Sequence, residues 1–372
     1  MNEGPVNTPS LFSPVSLGSL KLRNRVVMAP MTRERAEDGI VTPAIREYYR
    51  RRAHGGVGLI LTEGTPVDDV GAFGTTVPRF YGPARESWRQ VVEAVHAEGA
   101  CIVPQLWHVG AFDPSLIGME DSAAITRISP SGLAAQGKPM GRAMTAADIE
   151  SAIEAYADAA SGAQELGFDG VEIHGAHGYL PDQFLWAATN LRSDDYGGDR
   201  QARTRFAVKL VHECRRRVGN DFPILFRYSQ WKQLDYDARL AESPQELEEV
   251  LTPLAEAGVD VFHCSTRRYW EPAFAGSDLS LAAWTRRLTG KPVIAVGSVS
   301  LSNEFKSALG KVRADVVPDE MERLQACLAR GDFDLIAVGR AMIANPDWVR
   351  KMESGSAADL KSFAKEMLEG LE

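Results

Sequence analysis

Eight short apolar segments, each followed by an amphipathic helical segment, constrain the fold of this chain more than any other feature. Most of these segments are hydrophobic nearly throughout, as is typical of parallel strands that helices cover on the outside. They cover residues 25–30, 57–64, 100–107, 170–174, 223–227, 259–264, 292–296 and 335–338. Eight such pairs without a break in composition predict one α/β domain over residues 1–372, a (β/α)8 TIM barrel.

Signals at the helix starts support this assignment. Thr145 and Asp148 have the spacing of a capping box. Ser243-Pro244 followed by Glu246 places a capping hydroxyl, an N1 proline and an acidic residue in the order that begins a helix. These patterns predict helices between the strands, as a barrel requires.

The termini and the long connections predict further parts. Residues 15–22 indicate an N-terminal hairpin that closes the barrel floor, and residues 346–372 a C-terminal helical tail. Connections at about 108–144, 265–278 and 301–318 are too long for simple turns. The first two follow strands, so we expect them on the C-terminal face, where barrel active sites lie.

Composition excludes some classes of function. The chain carries 41 Lys and Arg against 50 Asp and Glu, for a net charge of −9, and it has no basic block, which argues against a nucleic-acid partner. No apolar run is long enough to span a membrane, and the first residues lack the layout of a signal peptide. Four widely spaced cysteines are typical of reduced thiols. We expect a cytoplasmic monomer or homodimer.

Glycines follow the last two strands. Gly297-Ser298 come after the seventh segment and Gly339-Arg340 after the eighth. Loops at these places in TIM barrels commonly bind phosphate, because glycines expose backbone N–H groups and an arginine adds charge. Either pair alone is typical of a turn, but together they predict a phosphate site.

The fourth segment ends in Val171-Glu-Ile-His174-Gly-Ala-His177-Gly-Tyr179. Side chains alternate along a strand, so His174 faces the barrel mouth, and the glycines allow turns that bring His177 and Tyr179 to the same opening. Two imidazoles can donate hydrogen bonds to a carbonyl oxygen, and a phenol can supply a proton. A metal site is one alternative, although His-x-x-His sites usually need a helix and a third ligand. Histidines with only a structural role are another.

Other strand ends carry groups that suit a cofactor. A buried arginine needs an anionic or electron-rich partner, because unpaired burial is costly. The residues at or near the ends of the first, second, third and fifth segments are Pro30, Met31, Thr32, Gly64, Gln105, Trp107 and Arg227. From the residues alone we predict a phosphate-bearing cofactor beside a His/Tyr site, and this does not yet select FMN.

The ordered motifs of the chain resemble those of the Old Yellow Enzyme family of FMN-dependent ene-reductases. The resemblance runs over nearly the whole length, from residues 24–32 to residues 338–346. Its most specific pieces are residues 170–185, with the run Gly-Val-Glu-Ile-His-Gly-Ala-His-Gly-Tyr-Leu, and residues 190–206. It implies a tightly but non-covalently bound FMN that NAD(P)H reduces, with NAD(P)H and the alkene using one pocket in turn by ping-pong kinetics.

The resemblance also implies roles for individual residues. His174 and His177 would hold the carbonyl oxygen of an α,β-unsaturated carbonyl or nitro compound, and Tyr179 would protonate Cα as FMN delivers hydride to Cβ. Trp107 would form a wall of the substrate pocket. FMN would contact Pro30, Met31, Thr32, Gly64, Gln105, Arg227, Gly297, Ser298, Gly339 and Arg340.

Two features of the sequence leave alternatives open. The loop at residues 265–274 is aromatic and basic, so Tyr269 or Trp270 could cover the substrate while Arg267 or Arg268 meets an anionic group; the alternative is a loop packed on the barrel rim. Related barrels also include amine N-demethylases, and a single-domain demethylase supplied by a separate reductase is the second candidate function. A non-catalytic binding barrel is a third.

Overall fold

Eight parallel strands form a closed barrel and follow one another around it in chain order. The computed structural model describes residues 9–72, 74–112, 127–302, 314–317 and 319–372. We number the barrel strands β1 (Val26–Met28), β2 (Leu59–Pro66), β3 (Cys101–Trp107), β4 (Val171–His177), β5 (Ile224–Lys232), β6 (Val261–Ser265), β7 (Val293–Val296) and β8 (Leu335–Val338). The predicted (β/α)8 fold is confirmed, and each predicted segment overlaps one of these strands.

Helices cover the outside of the barrel. They are α1 (Pro43–His54), α2 (Arg89–Ala97), α3 (Ala146–Glu165), α4 (Leu180–Leu185), α5 (Arg200–Val218), α6 (Pro244–Ala257), α7 (Leu281–Thr289), α8 (Glu320–Arg330), α9 (Arg340–Ala344) and α10 (Trp348–Glu353). The capping box of Thr145 and Asp148 begins α3, and the Ser243 hydroxyl accepts a hydrogen bond at the start of α6. In the described part of the chain, no helix is both long and apolar enough to cross a membrane.

The inside of the barrel has an apolar lower layer and a polar upper layer. Because side chains alternate along a strand, positions two residues apart share the interior: Val103 lies below Gln105, Leu225 below Arg227, and Val261 below His263. The predicted hairpin pairs Val15–Leu17 with Leu20–Leu22 and packs Leu20 and Leu22 against the lower layer. The apolar core is thus at the N-terminal end, and the polar groups are at the C-terminal end.

The last residues pack across the C-terminal face. Four arginines donate hydrogen bonds to main-chain oxygen atoms there: Arg33 to Gly370, Arg35 to Glu369, Arg51 to Leu371 and Arg52 to Glu372. The region predicted as a helical tail contains α10 and two short 3-10 helices, Ala357–Asp359 and Lys365–Leu368. Phe363, Lys365 and Leu368 consequently line the mouth of the barrel.

Most of the long connection at residues 301–318 lies outside the described residues, as do residues 113–126 of the connection at 108–144. The rest of the latter forms two small two-stranded sheets. One pairs Ile128–Ser129 with Arg142–Ala143, and the other pairs Leu133–Ala135 with Lys138–Pro139.

Candidate active site

A cavity of about 630 Å³ opens at the C-terminal ends of the strands. This is within the usual size range of ligand and cofactor sites. The cavity is lined by fourteen of the sequence-predicted site residues: Pro30, Met31, Thr32, Gly64, Gln105, Trp107, His174, His177, Tyr179, Arg227, Gly297, Ser298, Gly339 and Arg340. Side chains more than 300 residues apart in the chain therefore meet at one site.

Three aromatic rings from the end of β4 are close together in this cavity. The ring centroids of His174 and His177 are 5.0 Å apart, and those of His174 and Tyr179 are 4.9 Å apart. Trp107 packs edge to face on Tyr179 with the centroids 5.0 Å apart. All four side chains are buried. One small ligand group can therefore contact both imidazoles and the phenol.

The backbone at His177 is unusual, and buried polar groups hold it. His177 has φ +66, a left-handed conformation that costs a non-glycine residue about 1–3 kcal/mol. The next residue, Gly178, donates its N–H to Asp182 Oδ2 at 2.7 Å. Asp182 Oδ1 in turn pairs with Lys232 Nζ at 2.6 Å, and neither side chain is exposed. A buried ion pair thus anchors the turn that presents His177 and Tyr179.

Burial sets the protonation of the three groups. Burial, followed by the nearby Arg227 guanidinium, holds the pKa of His174 and of His177 well below the usual imidazole value. Burial also raises the pKa of the Tyr179 phenol above its usual value. At neutral pH both imidazoles are therefore uncharged and the phenol keeps its proton, which is the state needed for hydrogen bonding and proton donation.

Ser265 connects two of the predicted site residues. Its hydroxyl oxygen accepts a hydrogen bond from Arg227 Nη2 at 3.1 Å and lies 2.8 Å from His177 Nε2. Arginine can only donate, so the Ser265 hydroxyl proton is available to His177. The serine therefore links the imidazole to the guanidinium.

Nothing in the described residues supports the metal alternative. No group of three His, Cys, Asp or Glu side chains in those ranges is placed to hold a metal ion. The positive Arg227 next to both histidines also disfavours a cation between them.

Two buried polar atoms indicate that a polar ligand belongs in the cavity. His174 Nδ1 and Arg227 Nε are buried and have no hydrogen-bond partner within the described structure. Such groups are costly unless a bound molecule pairs with them. A cofactor ring with oxygen and nitrogen atoms along its edge would satisfy Arg227 Nε, and the oxygen of a second small molecule would satisfy His174 Nδ1.

The glycines after β7 and β8 differ in whether the packing of the protein itself requires a glycine. A Cβ on Gly339 would meet only the Met31 sulfur at 3.6 Å and the Ala29 Cβ at 3.9 Å, so protein packing does not require a glycine there. A Cβ on Gly297 would lie 2.6 Å from a backbone carbonyl oxygen, so the fold itself excludes larger residues. Burial lowers the pKa of Arg340 to about 10, and a bound phosphate would offset that burial. These residues fit a phosphate-bearing cofactor.

The structure does not bring Tyr269 and Trp270 to the cavity, which corrects their prediction as lid residues. Tyr269 is buried against Trp270 and Phe333, with ring centroids 4.9 Å and 6.2 Å away. The Arg323 guanidinium lies over the Trp270 ring, 4.1 Å from its centroid. Both aromatic side chains thus pack beside α8, as in the alternative of a loop on the barrel rim, whereas Arg267 does line the cavity.

Trp231 and Tyr236 line the cavity without having been predicted. Trp231 stacks on His177 with centroids 4.4 Å apart, and Tyr236 stacks on Trp231 at 5.3 Å with the rings nearly parallel. β5 continues to Lys232, beyond its predicted end at residue 227, and this carries Trp231 to the mouth. The aromatic residues Tyr228 and Trp231, placed soon after Arg227, were the signal in the sequence that could have revealed it.

The fold and the cavity define a class. A (β/α)8 barrel whose cavity is lined by glycines after β7 and β8 and by a His/His/Tyr set is the architecture of a flavin-dependent oxidoreductase. The chain matches the NADH:flavin oxidoreductase / NADH oxidase family over residues 10–359, and it belongs to that family. This confirms the resemblance to Old Yellow Enzymes.

Individual relatives agree with this assignment. The chain is 34% identical over 365 residues to an NADH oxidase of Thermoanaerobacter brockii, covering 95% of this chain and 52% of that protein, so it spans about half the length of this relative. It is also 34% identical over 362 residues to 12-oxophytodienoate reductase 7 of Oryza sativa subsp. japonica, covering 92% of this chain and 87% of that protein.

Two solved structures have the same fold. Morphinone reductase in complex with tetrahydroNAD has a TM-score of 0.80 and 29% identity, over 97% of this chain and 94% of the other. The Old Yellow Enzyme homologue from Zymomonas mobilis (NCR) has a TM-score of 0.78 and 28% identity, over 97% and 96% of the two chains. The family and these similarities confirm an oxidoreductase that uses FMN with NAD(P)H as reductant.

Proposed function

We propose that this chain reduces activated C=C bonds of α,β-unsaturated carbonyl or nitro compounds, using FMN that NAD(P)H has reduced. The observation that carries the proposal is the buried set of two uncharged imidazoles and one protonated phenol in a single cavity. The reductases among the relatives support it. They give no support to the amine N-demethylase alternative.

The same cavity would hold the cofactor. When bound, FMN supplies the hydride chemistry, and the protein binds and orients the reactants. Gly64 and Gln105 would hold the pyrimidine edge and Arg227 the N1 and O2 side, where its unpaired Nε lies buried. Pro30, Met31 and Thr32 would contact the ring, and the phosphate would bind at Gly297, Ser298, Gly339 and Arg340.

The histidines would bind and polarise the substrate. The unpartnered His174 Nδ1 can donate a hydrogen bond to a carbonyl or nitro oxygen. The imidazole of His177, whose centroid is 5.0 Å from that of His174, can contact the same oxygen. This withdraws electron density from Cβ and makes it a better hydride acceptor. Tyr179 then delivers the proton to Cα, while Trp107 and Trp231 exclude water from the reacting atoms.

The test separates the two half-reactions. The purified holoenzyme is reduced with NADPH without oxygen and then mixed rapidly with cyclohexenone. We expect Tyr179→Phe to slow the reoxidation by the alkene by about 10²–10⁴-fold, because general acid catalysis contributes that much, and to leave the reduction by NADPH within a few-fold.

The matched control is Tyr196→Phe, whose hydroxyl bonds Lys209 at 2.6 Å outside the cavity and which should change neither step. Equal slowing of both steps in Tyr179→Phe would refute the role of the phenol as proton donor. A wild-type protein that binds no FMN, or that cyclohexenone does not reoxidise, would refute the function.

We further propose that the chain works in the cytoplasm as a monomer or homodimer. The composition supports the compartment, since four widely spaced free cysteines are typical of a reducing environment. Light scattering on the purified holoenzyme tests the oligomeric part, and a larger assembly would overturn it.

A further inference from the structure

The polar upper layer of the barrel contains a carboxylate that the proposed chemistry does not use. Glu172 on β4 lies beside Gln105 on β3, while Arg227 on β5 lies beside His263 on β6. Glu172 and His263 are fully buried, and Gln105 and Arg227 are exposed by only 2% and 8%. Four polar side chains from four neighbouring strands thus form one layer at the floor of the cavity, and Gln105 and Arg227 are the two that line it.

Glu172 joins the layer by two short hydrogen bonds. Its Oε1 accepts a hydrogen bond from Gln105 Nε2 at 2.7 Å, and its Oε2 accepts one from His263 Nδ1 at 2.6 Å. An ionised carboxylate can only accept, so it keeps the amide nitrogen of Gln105 on its own side. The carbonyl oxygen of Gln105 then remains for the cavity that this residue lines.

Glu172 also opposes the charge of Arg227. Burial lowers the pKa of Arg227, and the Glu172 carboxylate acts in the opposite direction. Burial lowers the pKa of His263 too, so this imidazole stays uncharged at neutral pH. The layer therefore contains one negative and one positive group, and removing Glu172 would leave the guanidinium uncompensated.

We propose that Glu172 is a positioning residue that orients the Gln105 amide toward the cofactor and offsets the charge of Arg227, and that it thereby lowers the reduction potential of bound FMN. The inference rests on the proposed function, which assigns Gln105 and Arg227 to the flavin. Reduction adds negative charge to the ring system, which Arg227 attracts and Glu172 repels. The charge of Glu172 thus favours the oxidised cofactor and, with it, hydride transfer to the alkene.

The test is Glu172→Gln, which keeps the size of the side chain and removes its charge. We expect the reduced cofactor to gain at least tenfold in affinity relative to the oxidised one, which raises the midpoint potential by at least about 30 mV for a two-electron couple. Potential is measured by anaerobic dye equilibration of the holoenzyme, and affinity by fluorescence titration of the apoprotein with FMN. Reduction by NADPH should become faster and reoxidation by cyclohexenone slower.

Glu172→Asp is the matched control because it keeps the charge but shortens the side chain. It should leave the potential near the wild-type value and weaken FMN binding, since the bond to Gln105 is lost or lengthened. If Glu172→Gln does not fold, Glu172→Asp can still test the proposal. A midpoint potential of Glu172→Asp shifted as far as that expected for Glu172→Gln would overturn it.

Two results for Glu172→Gln would also overturn it: an unchanged potential, or equal slowing of both half-reactions as expected of a merely structural residue. These outcomes differ from failure of the proposed function, because in that case wild-type protein would bind no FMN or would not be reoxidised by cyclohexenone.

Discussion

Replacement of Lys232 by methionine tests how the catalytic turn is held. Lys232 and Asp182 form an ion pair at 2.6 Å with no exposed side-chain surface. Removing one partner of a buried pair leaves an uncompensated charge, at a cost of about 3–5 kcal/mol in the free energy of unfolding. That is a large fraction of the roughly 5–15 kcal/mol that stabilises a folded domain. We therefore expect Lys232→Met to be strongly destabilised.

The pH dependence of this loss identifies its cause. Burial raises the pKa of Asp182, and the Lys232 ammonium lowers it. Without the ammonium, the folded-state pKa rises further above the unfolded value of about 4. An acid with a raised folded-state pKa stabilises the folded state when it is protonated, and loses that contribution as the pH rises through the folded-state pKa. The loss in unfolding free energy of Lys232→Met relative to wild type should therefore be largest at high pH and shrink as the pH falls toward about 5.

Urea unfolding followed by circular dichroism, at pH values from about 8 to about 5, measures the difference between variant and wild type. The double variant Lys232→Met/Asp182→Asn should lose less than Lys232→Met alone, because a neutral amide is cheaper to bury than a charge. Binding of cyclohexenone should also weaken, since Asp182 anchors Gly178 and with it the strained His177. A deficit that does not change with pH, or a double variant as unstable as the single one, would refute the reasoning.

Three further predictions concern the cavity. Gly339→Ala should weaken FMN binding but cost the apoprotein little stability, because the added Cβ would make only ordinary van der Waals contacts with the protein. Fluorescence titration measures the affinity and urea unfolding the stability; an unchanged FMN affinity would show that Gly339 does not belong to the phosphate site. Gly64→Ala should lower the unfolding free energy of the apoprotein by about 1–3 kcal/mol, because its Cβ would lie 2.7 Å from the Trp107 ring; a stability equal to wild type would contradict that packing. Reoxidation by cyclohexenone should be flat between about pH 6 and pH 8, since the pKa values of His174 and His177 lie well below the usual 6.5; a step near pH 6.5 in stopped-flow rates would show that one imidazole titrates there.

The sequence alone was sufficient for the fold, because the evidence for a barrel is local. Each strand is a short apolar run and each helix has its own start signal, so eight repeats in order predict the closed sheet without any distant contact. The meeting of the glycines after β7 and β8 with His174, His177 and Tyr179 in one cavity was predictable for the same reason. These residues occupy the ends of strands, and the ends of parallel strands meet on one face.

Only the tertiary structure decided which other side chains reach the cavity. β5 extends to Lys232 and brings Trp231 onto His177, although the sequence pattern ended the strand at residue 227. Tyr269 and Trp270, equally aromatic and on a loop at the correct face, pack beside α8 instead. The chemical character of an aromatic loop residue does not determine its direction, because that depends on neighbours contributed by distant segments.

The hydrogen bonds of the polar layer also could not be predicted from the sequence. In the sequence, Glu172 is only the residue two positions before His174, which places both side chains on the same side of the strand. Its partners come from other strands, with Gln105 67 positions away and His263 91 positions away. Register between strands that are far apart in the chain sets such contacts, and no pattern within one strand contains that information. Local periodicity thus determined the barrel and the ends of its strands, while the packing of separate strands decided what each buried charge is paired with.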